Sequence, residues 1–340
     1  MSNFNEIYSI LKALSDLNGI SGFEDEVIEK ACEFIPFANK IEKNRTSGFY
    51  AFLGDENAET QIMLDAHIDQ IGMMVTEIDS KGFLHVTSVG GIDRRTLPGS
   101  VVSVYGEKVL KGVVSVLPPH ISGNSEKVEA TEKQYIDIGL NFEEASKLVS
   151  VGDAVILENE TIRLLNNRVT GSALDDRAGC AILLRACELL KGAKLNCGVH
   201  LCLSSKEEIG GMGAEIAAKR YMPTEAIAVD VSFAKQQGLS GKSGLGELGK
   251  GPMIGIAPVL SREMKEKLIS IAKKNNIPYQ LEVMGGSTGT DCDDIITQNG
   301  GVKTMLISIP QRSMHTPSEV CDLEDMENIA KLIALYVLSV

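Results

Sequence analysis

Residues 199–211 read VHLCLSSKEEIGG: an apolar run with the texture of a buried strand, then two adjacent glutamates, Glu207 and Glu208, then a glycine pair. Adjacent carboxylates at the mouth of a core strand repel each other and resist desolvation, so folding alone gives no reason to put them there. A bound cation would supply the reason. The GGMGA that follows reads as the start of a helix, so the stretch is one strand-to-helix unit of an α/β sheet.

The same alternation continues outward. After about Asn167 the apolar periodicity predicts helix 175–190, strand 199–203, helix 212–220, strand 226–229, helix 261–274, strand 304–309 and helix 323–338. Toward the N-terminus, helices are expected over 5–17 and 24–34, separated by GISGF; a strand pair, 50–53 and 61–64, follows around the polar turn GDENAE. From about 72 to 166 the texture changes to short β-like runs such as GMMVTEI, FLHVTSV, SVVSVYG and AVILE, punctuated by Gly, Pro and Asp. The expected architecture is one α/β domain with a small all-β module inserted in it. No fixed-period repeat argues for a solenoid or propeller.

The 340 residues, 44% of them hydrophobic, suffice for a sizeable core and two domains. With 46 acidic against 33 basic residues the formal charge is -13, which repels nucleic acid and anionic membrane. The N-terminal stretch carries acids where a secretory signal would carry Lys or Arg, and no apolar run approaches the roughly 20 residues of a membrane span. A cytoplasmic protein is expected. Seven scattered cysteines without a CxxC pair read as reduced core residues.

Five polar clusters share one layout, an apolar run ending in acidic or imidazole side chains, and sites in open α/β sheets gather beyond the carboxyl ends of strands. They are His67 and Asp69 in IMLDAHIDQIG, Asp175 and Asp176 in GSALDDRAGC, Glu207 and Glu208, Asp230 in EAIAVDVSFA, and His315 in ISIPQRSMHTPSE. Each has a plain alternative: a core histidine, a helix cap, a solvated loop, a structural hydrogen bond, an incidental loop residue. Taken together, two histidines with carboxylates from separate segments are too few nitrogens for two independent zinc sites. They fit a binuclear centre bridged by one Asp and a water, with one acid left over as general base. An oxygen-rich set without thiolates suits Zn²⁺, Co²⁺ or Mn²⁺. His85 and His200 read as structural, and His120 as a supporting residue.

The motifs AHIDQIGMMV, SALDDRAGC, SSKEEIGGMGA, AVDVSFA and QRSMHTPSE resemble those of the glutamyl aminopeptidase and TET (tetrahedral) aminopeptidase family, binuclear metallopeptidases historically also called endoglucanases. The resemblance extends to NGISGFEDEV, GGID, KGVVSVLPPH and GKGPMI, and so covers nearly the whole chain. It implies a zinc-peptidase-like α/β sheet domain, residues 1–68 and 166–340, carrying an inserted PDZ-like β-barrel domain, residues 69–165. It further implies that Asp175 bridges two metals, that Glu208 and His315 complete one site and His67 and Asp230 the other, that Glu207 is the base, and that Asp69 orients His67. The implied reaction is removal of N-terminal residues from short peptides, by a homo-oligomer that is commonly a dodecameric shell.

Two departures stand out: Gln70, where the family commonly has an acid, and Cys292, Asp293 and Asp294 after the GTD element. The competing readings are a related binuclear amidohydrolase (dipeptidase, carboxypeptidase or deacylase), a glycosidase, and a metal-holding scaffold without activity. The glycosidase lacks support from aromatic sugar platforms, since the chain has no Trp.

Overall fold

Four parallel strands, side by side with their carboxyl ends along one edge, form the centre of the protein. The computed structural model describes residues 4–44, 46, 48–116, 129–239 and 244–340. In order across the sheet, the four are Gly198–Ser204, Gln61–His67, Glu225–Phe233 and Lys303–Gln311. Each is buried along nearly its whole length, as expected for sheet strands covered on both faces. Gly48–Gly54 and Lys40–Asn44 extend the sheet beyond the first of them, and Met253–Ile256 and Gln280–Val283 extend it beyond the last.

The expected pairing of 50–53 with 61–64 is not found. Gly198–Ser204 lies between those strands, antiparallel to Gly48–Gly54 and parallel to Gln61–His67. The polar turn therefore joins two strands that are not neighbours. Both are buried along their length and take a third apolar strand between them, a long-range choice that local turn chemistry does not encode.

Helices cover the faces for the reason the periodicity gave. Asn5–Ser15 buries Ile7, Ile10, Leu11 and Leu14, a single stripe at helical spacing, against the helix Leu174–Leu190. Leu174–Leu190 is buried almost all round because Leu323–Leu338 packs on its other side and the sheet lies beneath. Asp322 caps Leu323–Leu338 by accepting from the amides of Glu324 and Asp325.

Between the two halves of the sheet domain the chain builds a closed barrel from Gly72–Ile78, Leu84–Val89, Val101–Tyr105, Val109–Val114, Tyr135–Asp137 and Ala154–Leu157. Met73, Val75, Val86, Val102, Val104 and Val155 fill it, following the two-residue period of strands that face a core on one side. A small three-stranded sheet, Ile162–Arg163, Arg168–Gly171 and Glu319–Asp322, lies beside the point where the chain returns from the barrel. His120 lies outside the described residues. No helix among the described residues is long and apolar enough to cross a membrane. All seven cysteines are free, six of them buried.

Candidate active site

The carboxyl edge of the parallel strands collects all five clusters. His67 ends its strand, directly opposite Ser204 in register, and the chain beyond Ser204 turns to present Glu207 and Glu208. Gly213 lets the following helix close on this turn, since a Cβ there would sit 2.3 Å from the Ser205 carbonyl oxygen, which its amide meets at 2.9 Å. Asp230 lies on the next strand. His315 comes from the loop after Gln311, and Asp175 from the start of the helix that crosses the sheet. That start is not a regular helical turn as expected: Asp175 and Asp176 have non-helical backbone angles, joined by a cis peptide.

Asp175 is the centre of the arrangement. Its Oδ1 lies 3.0 Å from His67 Nε2 and its Oδ2 lies 3.2 Å from His315 Nε2, so one carboxylate faces two imidazoles. Asp230 Oδ1 and Glu207 Oε2 are each 3.9 Å from His67 Nε2, and Glu208 Oε1 is 3.7 Å from His315 Nε2. Asp176 instead turns its Oδ1 back to the Gly179 amide at 2.9 Å, the capping role that sequence reasoning held open for the pair.

The charges are far from balanced. Burial pushes the Glu207 carboxyl up to about 7 and Glu208 up to about 8, and raises Asp230 well above the usual carboxylate range, with the Asp175 charge adding in each case. Burial would raise Asp175 too, but the hydrogen bonds from His315 and His67 prevail and hold it low. The bond to Asp175 raises His315 to about 9, while His67 is raised in spite of its burial. Even with both imidazoles drawn toward the cationic form, Glu208 Oε1 is buried without a hydrogen-bond partner among the described residues.

Two triads, His67–Asp175–Asp230 and Asp175–Glu208–His315, each bring one ligand atom per residue to within 4.8 Å of the others. They share Asp175. An orphaned carboxylate oxygen within two nitrogen-and-oxygen triads fits a pair of divalent cations.

Asp69 behaves differently from expectation. Its Oδ1 is 3.6 Å from His67 Nδ1, beyond hydrogen-bond range, and the ring nitrogen meets the Asp69 backbone carbonyl at 3.1 Å instead. The carboxylate is occupied elsewhere: it accepts from Ser21 Oγ at 2.6 Å and from the amides of Glu207 and Glu208 at 3.1 and 3.3 Å. Two amides converging on one carboxylate outcompete a single ring N–H.

Gln70 lines the same cavity as Asp175 and Glu208, and its Oε1 accepts from the fully buried Arg177 at 3.2 Å. Asp293 is taken up by the amides of Thr288 and Gly289, and Cys292 packs with Ala228 and Leu306. His200 is structural as expected, with the Tyr50 hydroxyl 3.1 Å from Nδ1 and Gln61 Oε1 2.8 Å from Nε2. Sequence reasoning missed the Gly91 carbonyl, 2.8 Å from His315 Nδ1, although it quoted the GGID motif that holds it. It also missed Glu319, whose carboxylate accepts from the amides of both Asp175 and His315.

A model of the family described as M42 glutamyl aminopeptidase matches residues 48–332. The chain is 30% identical to a lysyl aminopeptidase of Pyrococcus furiosus, over 96% of this chain and 95% of that protein. Its structure is similar to that of an aminopeptidase from the archaeon Desulfurococcus kamchatkensis, with a TM-score of 0.92 and 32% identity over 99% and 96% of the two chains. It is also similar to the TET1 peptidase of Pyrococcus horikoshii, which can assemble into a tetrahedron or a large octahedral shell, with a TM-score of 0.85 and 34% identity over 97% and 98%.

Proposed function

Because the chain belongs to the M42 glutamyl aminopeptidase family, we propose that it is a metal-dependent aminopeptidase that removes N-terminal residues from short peptides at a binuclear centre. One observation carries the reading: the two oxygens of Asp175 face different imidazoles, 3.0 Å from His67 and 3.2 Å from His315. In this assignment His67 and Asp230 hold one ion, Glu208 and His315 the other, and Asp175 both. Zn²⁺, Co²⁺ or Mn²⁺ there supplies Lewis-acid charge to the scissile carbonyl and lowers the pKa of the attacking water.

Glu207 lies outside both triads, with its carboxylate on the same side as His67. It takes the proton from water and delivers it to the leaving amine, the work of a general base that then acts as an acid. Asp69 holds the backbone of Glu207 and Glu208.

The same proposal divides the chain into a zinc-peptidase-like catalytic domain, 1–68 and 166–340, and an inserted domain, 69–165, whose barrel we read as PDZ-like. It extends to a cytoplasmic homo-oligomer, dodecameric as in the tetrahedral shells of relatives.

The test is a panel of aminoacyl-p-nitroanilides and short peptides, run with chelated protein and after reconstitution with Zn²⁺, Co²⁺ or Mn²⁺. Turnover is expected to vanish on chelation, return with two equivalents of metal, and be absent on N-acetylated substrates. Full turnover of acetylated peptides would move the assignment to a dipeptidase-, carboxypeptidase- or deacylase-type amidohydrolase. Cellulose hydrolysis that survives chelation would move it to a glycosidase.

A further inference from the structure

Glu319 opens the strand Glu319–Asp322, which pairs antiparallel with Arg168–Gly171 so that Glu319 stands opposite Gly171. The pairing draws together two segments remote in sequence. One strand leads, four residues on, to Asp175; the other follows, four residues after, from His315. The Glu319 side chain, in a residue only 2% exposed, fills the space between them. Its Oε2 accepts from the Asp175 amide at 3.1 Å and its Oε1 from the His315 amide at 2.9 Å.

Both segments need holding. Ala173 (φ 57°) and His315 (φ 60°) lie in the left-handed region, which is unfavourable for a residue with a Cβ. Such conformations persist only where the surroundings over-determine them. The hydrogen bonds to Glu319 act on both stretches at once. A carboxylate suits the task because it offers one acceptor oxygen to each of two amides, whereas a carboxamide would turn an NH₂ toward one of them.

We propose that Glu319 is a positioning residue: its carboxylate locks the backbone of Asp175 to that of His315, so that the shared carboxylate and the imidazole of the Asp175–Glu208–His315 triad meet. This rests on the binuclear reading above. The other triad shares Asp175, but its imidazole is braced separately, by the Asp69 carbonyl on His67 and by Arg177 on the carbonyl of Ile68. Loss of Glu319 therefore falls more heavily on the His315 site, where both the shared carboxylate and the imidazole lose their anchor.

The experiment is a Co²⁺ titration of metal-free protein followed by visible absorbance, with Zn²⁺ calorimetry beside it, on wild type, Glu319→Gln, His315→Ala and the double variant. Wild type takes up two ions. Glu319→Gln is expected to bind one of them about 10–100-fold more weakly, the range for lost hydrogen-bond partners of metal ligands, and the other with a smaller loss. In the His315→Ala background the Glu319 change should cost less, because the site that depends on it most is already gone. A purely structural Glu319 would lower the melting temperature of the metal-free variant and leave both affinities intact, which overturns the proposal. Should Glu319→Gln not fold, Glu319→Asp, whose shorter stem reaches one amide at most, is read by the same titration. A wild type that binds no metal pair would bring down the binuclear reading itself; two unchanged sites in the variant bring down the Glu319 assignment alone.

Discussion

Replacing Asp69 by Asn separates two roles that the HxD spacing cannot distinguish. If the carboxylate served the His67 ring, the substitution would weaken the metal site that His67 builds. In the structure the ring nitrogen meets the Asp69 backbone carbonyl, which the substitution leaves in place, and the carboxylate serves the Glu207–Glu208 turn. Burial opposes ionisation of Asp69, yet the nearby charge of His67 and the hydrogen bonds from Ser21 and the Glu207 amide hold its carboxyl below the usual range, so it is charged at neutral pH. Oδ2 takes Ser21 and Glu208, and Oδ1 takes Glu207. An Asn with its oxygen at the Oδ2 position faces the Glu207 amide with an NH₂ group. One hydrogen bond to a charged acceptor is then lost, worth about 1.5–3 kcal/mol. Expressed in full at the base, that is about a 10- to 150-fold fall in kcat/KM at saturating metal, since about 1.4 kcal/mol is a decade of rate. Steady-state kinetics on the metal-loaded variant, with metal affinity by calorimetry, reads both quantities. A variant whose loaded form turns over normally but whose metal affinity has dropped tenfold would refute the reasoning and restore the imidazole role.

Glu207→Gln is expected to bind two metals as wild type does and to lose about 10²–10⁴ in kcat, the span of general acid–base catalysis. Metal stoichiometry and single-turnover rates on one preparation check this, and a variant that loses an ion would make Glu207 a ligand. The buried His200 gives a stability prediction with a definite sign. Burial pushes it down to about 4, against about 6.5 in the unfolded chain, so between those values the unfolded chain binds a proton that the folded one refuses. Its contribution is complete above about pH 6.5 and drains away as pH falls toward 4, by about 3 kcal/mol at most. Melting curves of wild type and His200→Gln from pH 7.5 to 4.5 should therefore converge as the pH drops, and parallel curves would contradict the assignment.

The carboxylate and imidazole clusters were legible only as a set: each has a plain structural alternative, but the apolar runs that end at Glu207–Glu208, Asp230 and His67 share one layout, and the parallel sheet gathers them at one edge. Strand pairing was not legible: residues 50–53 and 61–64 are joined by a good polar turn, yet the strand 198–204 separates them, because burial on both flanks is decided by segments far away in sequence. The strands Met253–Ile256 and Gln280–Val283 were missed because four residues carry too little periodicity. Glu319 stands at the end of QRSMHTPSE, but its partners are backbone amides, one of them 144 residues away, and a backbone amide leaves no mark on composition or spacing.

The buried acids around this edge differ in what compensates them. Asp69, Glu319 and Asp176 have backbone amides as partners: two each for Asp69 and Glu319, and one for Asp176. Asp65 and Asp291 share the hydroxyl of Ser204. Each of these has at least one partner that the fold supplies, and one oxygen each of Asp65, Asp176 and Asp291 has none among the described residues. Asp175 and Glu208 are of the other kind: the side chains facing their oxygens are imidazoles, and one Glu208 oxygen has no partner among the described residues. Asp230 keeps only the amide of its own neighbour, Val231, and otherwise faces His67. Burial pushes Glu208 and Asp230 toward the neutral form, while the two imidazoles hold Asp175 ionised. A cation pair at the proposed centre would remove the burial penalty on Glu208 and Asp230 and leave the shared Asp175 charge between two cations.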